Sequence, residues 1–249
     1  SGAFTYSGQP QTVQATAKNA ANGTTTNYDG SGAAGVNFAR AVTWSDGNSV
    51  AGTVSPATLA ATAFRLGVAS GTPAFTFTTA RTSPSVIRLR ATDTDTASSA
   101  SGTEGTANIR SGRLYVQNAY GSELLDLPMV AQAQYWNGSG YVLNAVDNCT
   151  SLAVPASGSG MVSTPAALAT KALATLNGTA TGSVPLLAGD ARLKLTRPGA
   201  GNSGFVDVTL TAPVWLQFPW LASSGATSPV GRATFGIYKS PLIYRRENY

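Results

Sequence analysis

The sequence contains no histidine, although it runs to 249 residues. Histidine is the commonest general base in enzymes and a frequent ligand of transition metals. Its absence rules out Ser-His-Asp and Cys-His catalytic arrangements within the chain. Because there is also only one cysteine, a structural zinc site formed by this chain alone is not expected. The sequence therefore predicts a protein that has no cofactor and is not an enzyme.

Charged residues are scarce as well, at 11% of the chain, and the net charge of +5 is spread out. Residues 1–125 carry 8 basic and 6 acidic side chains, and residues 126–249 carry 8 and 5. A nucleic-acid-binding protein normally presents a basic face or stripe, so we expect no nucleic-acid partner. No apolar run reaches the length that a membrane-spanning helix needs, so we expect no membrane insertion.

Short strand-like segments separated by turn residues dominate the rest of the sequence. Val13 and Ala15 alternate with polar residues, which is the period of a half-buried strand. Comparable strand-like segments and turns recur about every ten residues, which is typical of a β-sandwich. They predict an all-β fold of immunoglobulin-like antiparallel β-sandwiches, two of them packed or in tandem. Residues 92–105, TDTDTASSASGTEG, lack large apolar side chains and resemble a linker. We therefore predict one β-sandwich domain over 1–105 and a second over 106–249.

A single short helix is predicted in the second half. Pro165 suits the first position of a helix and Gly178 the position after its end, with AALATKALATL between them. A helix of this length is marginal on its own. At most one short helix is therefore expected in an otherwise β-rich chain.

The segment YWNGSGYVLN, residues 135–144, predicts a β-hairpin. Its turn runs from Asn137 to Gly140, since a turn with two glycines reaches positive φ without strain. Neighbouring residues of a strand point to opposite faces. We therefore expect one of Tyr135 and Trp136 to lie in the core and the other to be more exposed.

The aromatic residues are candidates for ligand binding. The chain has four tryptophans and nine tyrosines, and exposed ones could form a platform for sugars or an adhesive surface. Trp136, Trp220 and Tyr141 are the candidates, and a carbohydrate-binding adhesin module is the alternative function that they indicate. Packing is the commoner role of aromatic side chains at strand spacing.

Acidic residues offer two weaker candidates for a site. Asp93 and Asp95 lie close to Glu104, and calcium takes several oxygen ligands of this kind. The full glycine- and glutamate-bearing pattern of a calcium loop is missing, so a solvated linker is the competing interpretation. Glu123 is the best candidate for glycosidase-like carboxylate chemistry, although a structural hydrogen bond or ion pair is the commoner role of such a residue.

Cys149 is the only cysteine, so no disulfide can form within the chain. Nothing nearby in the sequence is basic, and a catalytic thiolate would lack its usual activator. Two interpretations are open. One is a buried, inert thiol that packs as a small apolar residue. The other is an intermolecular disulfide with a cysteine outside this chain.

Five segments of the chain carry a resemblance to a known family: FTYSGQPQTVQATAKNAANGTTTNYDG, SVIRLRATDTD, SGRLYVQNAYGSELLDLPMVAQAQYWNGSGYVLNAVDNCT, RPGAGNSGFVDVTLTAPVWLQFPW and GRATFGIYKSPLIYRRENY. Together they resemble the C-terminal domain of MshQ-type proteins, which are large bacterial surface proteins encoded with the genes of mannose-sensitive haemagglutinin (MSHA) type IV pili. The resemblance is strongest over 111–150 and 201–249. It implies export, a bacterial cell-surface location and association with pili or adhesion, and it brings no catalytic residues.

Composition and resemblance lead to one expected function, a non-enzymatic extracellular structural or adhesive protein of a bacterial surface appendage. Its expected partners are other copies of itself, pilus or surface proteins, and glycans. Terminal strands can add to the exposed sheet edge of a neighbour, and a head-to-tail contact that does not close builds a filament. The segments expected to exchange contain Phe4, Tyr6, Phe235, Ile237 and Tyr238. The competing expectation is that both ends complete sheets in their own domain.

Overall fold

The computed structural model describes residues 4–33, 37–221 and 223–237 of the chain. Strands dominate these residues, and the α-helix found among them, α1, is a single turn over Leu168–Lys171. The sheets are mostly antiparallel. The predicted all-β class with at most one short helix is therefore confirmed, whereas the immunoglobulin-like topology stays a prediction.

The described strands are short and follow one another at close intervals. In chain order they are β1 (Thr5–Tyr6), β2 (Val13–Thr16), β3 (Val42–Asp46), β4 (Gly52–Ser55), β5 (Thr58–Leu59), β6 (Val68–Gly71), β7 (Ala74–Phe77), β8 (Ser85–Asp93), β9 (Gly105–Arg110), β10 (Gly112–Val116), β11 (Ala119–Gly121), β12 (Leu127–Trp136), β13 (Tyr141–Leu143), β14 (Ser151–Ala153), β15 (Met161–Thr164), β16 (Ala174–Leu176), β17 (Ser183–Pro185), β18 (Asp190–Leu195), β19 (Gly204–Thr209) and β20 (Val230–Phe235). Residues between them supply the turns.

The first of two compact units comprises Ser1–Arg113, Gln134–Val146 and Pro213–Gln217. Its main sheet has the strand order β1-β9-β8-β3-β5, and two smaller sheets pair β2 with β6 and β4 with β7. Strand β8 illustrates why the sheet forms, because buried Ile87 and Leu89 alternate with exposed or half-buried neighbours and one face meets the core.

The second unit comprises Leu114–Ala133, Asp147–Ala212 and Phe218–Tyr249. One of its sheets has the order β10-β12-β18-β16, another has the order β11-β20-β19-β15, and β14 pairs with β17. Met129 and Ala131 of β12 are buried between exposed or half-buried neighbours, and the same alternation runs along β18 and β19. These buried faces form the core of the unit.

The two units share a strand order. In the first, the short strand β1 runs parallel to β9, and β8 and β3 follow β9 in antiparallel pairs. In the second, the short strand β11 runs parallel to β20, and β19 and β15 follow in antiparallel pairs. Each unit therefore has a short strand that pairs in parallel with the last strand of its sheet.

Two local predictions differ from the structure. The predicted helix is reduced to α1, because Ala174 and Leu176 belong to β16 and pair with β18. The linker-like stretch 92–105 contains the end of β8, the connection to β9 and the first residue of β9. Since β8 and β9 pair with each other, this stretch is the connection of a hairpin. The predicted domain limits at 105 and 106 stay a prediction.

Candidate functional site

All eight aspartates of the chain accept structural hydrogen bonds. Asp46, Asp93 and Asp147 each accept from backbone N–H groups two to four residues further along, which is how short carboxylates stabilise turns. The other pairs are Asp29 with Ser31 and Leu66, Asp95 with Arg40, Asp126 with Lys194 and Arg197, Asp190 with Gln132, and Asp207 with Arg232. These carboxylates are therefore held in fixed positions by the fold.

The three carboxylates of the calcium candidate have different partners. Asp93 Oδ2 accepts from the Tyr28 hydroxyl at 3.1 Å, and Asp95 Oδ2 pairs with Arg40 Nε at 2.8 Å. Glu104 belongs to a separate arginine cluster. Across the described residues, no group of three or more cysteine, aspartate or glutamate side chains is placed to hold a metal ion. The structure does not bring this candidate site together.

Glu104 is the buried member of an ion-pair cluster with two partly exposed arginines. Its side chain is only 2% exposed, its Oε1 pairs with Arg90 Nε at 2.8 Å, and Arg88 Nε lies 3.8 Å from Oε2. The Ser99 hydroxyl donates to Oε1 at 2.9 Å. The hydrogen-bonded Arg90 guanidinium lowers the pKa of Glu104 below its ordinary value, and desolvation opposes it. The residue therefore holds the β8–β9 connection to the sheet.

Glu123, the candidate for carboxylate chemistry, stands alone. Its Oε2 is buried and accepts no hydrogen bond from the described residues. Its backbone carbonyl accepts from Gly199 N at 2.9 Å. A glycosidase mechanism requires two carboxyl groups facing a substrate. The aspartates described above are instead held by hydrogen bonds in turns and in ion pairs.

The predicted hairpin is present, with β12 ending at Trp136 and β13 beginning at Tyr141. Asn137 Oδ1 accepts from the backbone N–H groups of Ser139 and Gly140, which fixes the turn. The turn belongs to the first unit. The sequence predicted this element correctly because its signal is local.

Trp136 and Tyr141 contact each other on this hairpin. Their ring centroids lie 5.4 Å apart at 69°. The Arg81 guanidinium lies 5.7 Å from the Trp136 ring centroid, and Arg113 lies 3.9 Å from that of Tyr141. Burial raises the pKa of the Tyr141 hydroxyl, and the positive charge of Arg113 opposes this. The two ligand candidates are thus partly covered by arginines, which adds cation–π attraction.

Tyr135, the neighbour of Trp136, carries an arginine of its own. The Arg110 guanidinium lies 4.4 Å from the Tyr135 ring centroid and 4.9 Å from that of Phe4. Arg110 Nη1 also donates to Asn144 Oδ1. We expected one of Tyr135 and Trp136 in the core and the other more exposed, but both are half-buried. Each ring thus has an arginine close to it, and neither lies in the core.

Strand β1 completes the sheet of its own unit. Tyr6 is 1% exposed, and its hydroxyl accepts from Asn144 Nδ2 at 2.6 Å. Phe4 packs edge-on against Tyr6 with ring centroids 4.9 Å apart. A Cβ placed on Gly112 would lie 2.4 Å from the Tyr6 ring, so the ring rests directly on that backbone.

Strand β20 likewise completes a sheet of the second unit. Phe235 is fully buried, and its strand lies between β11 and β19. Ile237 follows the strand and is 55% exposed. Tyr238, the last residue of the predicted exchange segment, lies outside the described residues.

Trp220 lies in the second unit at an open pocket of about 360 Å³. Tyr115 lines the same pocket, and the two ring centroids are 6.3 Å apart at 40°. Phe218 packs edge-on against Trp220 at 5.1 Å and is itself buried. Amides of Gln117 and Asn118 share the lining. This is a concave site with aromatic and neutral polar walls.

Cys149 is exposed. It lies in the turn between β13 and β14, where its N–H donates to Asp147 Oδ1 at 3.1 Å. The interpretation as a buried, packed thiol is wrong, because the turn directs this position to solvent. The intermolecular disulfide stays a prediction.

The sequence did not reveal the arginines that cover the hairpin. Arg81, Arg110 and Arg113 lie more than twenty residues before the rings that they contact on the hairpin. A sheet brings such positions together through long-range pairing, and no local spacing records it. Tyr115 and Phe218 were missed for the same reason.

The described residues include no helix with the length and hydropathy needed to cross a membrane.

The chain matches two protein-family models. A model of the third domain of DUF6701 matches residues 1–113, and a model of its fourth domain matches residues 110–248. No curated protein matches the chain. The chain therefore belongs to the DUF6701 family and comprises regions matching its third and fourth domains.

Proposed function

We propose that this chain is a non-enzymatic structural and adhesive part of an extracellular bacterial surface protein. The observation that carries the proposal is that every aspartate carboxylate accepts a structural hydrogen bond within the fold. Together with the absence of histidine, this leaves few groups for acid–base chemistry. A low charge and a β-rich fold suit an exported framework protein.

The more specific form of the proposal is an MshQ-type protein associated with MSHA pili. Its support is the set of motifs in the sequence, which lie in both matched domains. In this role the two units would display surfaces on the cell exterior, and their partners would be pilus or surface proteins and glycans. Deleting the gene should then lower adhesion or the number of pili per cell, and unchanged values for both would contradict the pilus association.

Surface location is tested on the bacterium that carries the gene. Antibodies raised against the purified chain should label intact cells, and a cytoplasmic protein should be labelled only after permeabilisation. Labelling of this chain that also requires permeabilisation would contradict the proposal. Digestion of intact cells with an added protease provides a second readout, because an external domain should be removed while the cytoplasmic control stays whole.

Self-assembly by terminal strand exchange is the alternative to terminal strands that complete the sheets of their own units, and it is tested separately. Tyr6 and Phe235 pair within their own units, so in an exchanged filament the same pairings would form with a neighbouring copy. Electron microscopy of the purified chain separates a filament from a monomer. If filaments form, deleting residues 1–8 should abolish them, and filaments that persist unchanged would contradict exchange of β1.

A carbohydrate-binding adhesin module is the second candidate function. Trp220 and Tyr115 line an open pocket together with two amides, which favours this role. Trp136 and Tyr141 are weaker candidates, because arginine side chains already lie over their rings.

A further inference from the structure

We propose that the pocket of the second unit binds a neutral carbohydrate, which stacks on Trp220 and Tyr115 and exchanges hydrogen bonds with Gln117 and Asn118. The inference rests on the proposed surface function, because an external adhesive protein is exposed to glycans. It assigns that function to one place in the chain.

The shape fits a small ring-shaped ligand. The volume of about 360 Å³ lies in the range of small-molecule sites. Trp220 and Tyr115 are both half-buried, and both line the pocket. The two rings are tilted by 40° rather than stacked on each other. The apolar face of a pyranose, which consists of C–H groups, can therefore lie against them.

The aromatic wall is held in place before a ligand arrives. Phe218 packs edge-on against Trp220 at 5.1 Å and is buried. The backbone of Phe218 exchanges two hydrogen bonds with Thr227 at 3.0 Å each. Ordering a side chain on binding costs free energy, so a ring that is already fixed binds more tightly.

The polar groups of the pocket match hydroxyl groups. Asn118 Oδ1 accepts from the backbone N–H of Arg232 at 2.8 Å, which fixes the orientation of the amide. Gln117 is exposed, and its backbone N–H donates to Val130 O, which fixes the backbone from which its side-chain amide extends at the pocket. Amides both donate and accept hydrogen bonds, as sugar hydroxyls require.

Within the described part of the chain, the residues that line the pocket carry no charged side chain. It consists of aromatic, amide and apolar residues, including Pro229 and Val230. Arg232, which follows in β20, is held by Asp207 through two contacts of 2.7 Å and stacks on Phe205 at 3.9 Å. Its charge is thereby neutralised locally. A neutral sugar is favoured over an acidic one, which would bring an unpaired carboxylate to this wall.

The test uses the intact chain on an array of neutral and acidic glycans. The strongest neutral glycan is then compared with its uronic-acid counterpart by NMR titration, following the side-chain amide signals of Asn118 and Gln117. We expect neutral glycans to bind and to shift both signals. Trp220→Ala should weaken binding about tenfold or more, since an aromatic contact is lost. Gln117→Ala, which changes an exposed residue, should weaken it without affecting folding.

Trp136→Ala is the matched control, because Trp136 is also half-buried but lies on the hairpin of the first unit. It should leave glycan binding unchanged. Loss of binding in Trp136→Ala with retention in Trp220→Ala and Gln117→Ala would overturn the assignment. So would stronger binding of the acidic counterpart, or an array without any bound glycan. An empty array combined with labelling of intact cells would refute only the pocket, and the proposed surface function would stand.

Discussion

The two units share a strand order but use the short parallel strand differently. In the first unit, β1 buries Tyr6 and ties it to Asn144. In the second, β11 carries Tyr120, which is 74% exposed beside Thr234 of β20. The same backbone pairing therefore serves as part of the core in one unit and as part of the surface in the other. Strand order alone does not decide what a strand contributes.

The aromatic residues show the same division. On the hairpin of the first unit, guanidinium groups lie against Trp136 and Tyr141. In the second unit, Trp220 and Tyr115 line an open pocket. Cation–π contacts use the ring faces that a ligand would need. A partly exposed aromatic residue is therefore a candidate for binding only where its ring face is accessible.

The largest expected effect separates the two short strands. Tyr6→Ala should lower the free energy of unfolding by about 4 kcal/mol, because a buried ring is lost and the Asn144 amide loses its acceptor. Tyr120→Ala, at a 74% exposed position of the matching strand, should change it by less than about 0.5 kcal/mol. Urea unfolding of both variants measures this. Equal losses would contradict the distinction between the strands.

A second comparison concerns two ion pairs, one with a buried and one with a partly exposed carboxylate. Glu104→Gln should cost roughly 2 to 4 kcal/mol, since the lost carboxylate is only 2% exposed and is the partner of Arg90. Asp207→Asn removes the partner of Arg232, whose side chain is 48% exposed, and should cost much less because solvent screens the pair. Thermal unfolding of both variants is the check. A larger loss for Asp207→Asn would reverse the comparison.

Acid should destabilise the first unit through Asp29. Hydrogen bonds from the Ser31 side chain and from the backbone N–H groups of Leu66 and Ser31 lower its pKa from 3.8 to about 2. The ionised form is thus favoured in the folded state, and its contribution is present above pH 3.8 and is lost as the pH falls to about 2. Asp29→Asn should flatten the pH dependence of unfolding in that window. An unchanged slope would contradict this role.

The smallest effect is expected at Cys149. Cys149→Ser should alter the free energy of unfolding by less than about 0.5 kcal/mol, since the thiol is exposed. The thiol of the native chain should react with Ellman's reagent as fast as that of the urea-unfolded chain. Slow reaction in the native chain alone would show that the position is covered.

Local signals were sufficient for the strands and the hairpin. The turn from Asn137 to Gly140 was predictable because its side-chain and glycine requirements lie within four residues. The end of the helix at Lys171 was not predictable. Ala174 and Leu176 follow helix-forming residues in the sequence, but they pair with β18 across a sheet. Helix propensity is a weak preference that such pairing overrides.

The candidate sites were predicted less well than the fold. Trp220 was identified from residue type alone, whereas Tyr115 reaches the same pocket through long-range packing. The acidic stretch 92–105 resembled a solvated linker, yet Glu104 is buried with Arg90. Ion pairs and pockets depend on which strands become neighbours, and the sequence records that pairing only indirectly.

The central claim is that each short parallel strand closes the sheet of its own unit. Amide hydrogen exchange tests it directly at Ser7, whose N–H donates to Arg110 O at 2.9 Å, and at Gly236, whose N–H donates to Gly121 O at 3.0 Å. Both amides should be equally protected in dilute and in concentrated solution, as should Val206 in the central strand β19. Protection at Ser7 or Gly236 that disappears on dilution while Val206 stays protected would contradict the account, because the strand would then come from another copy.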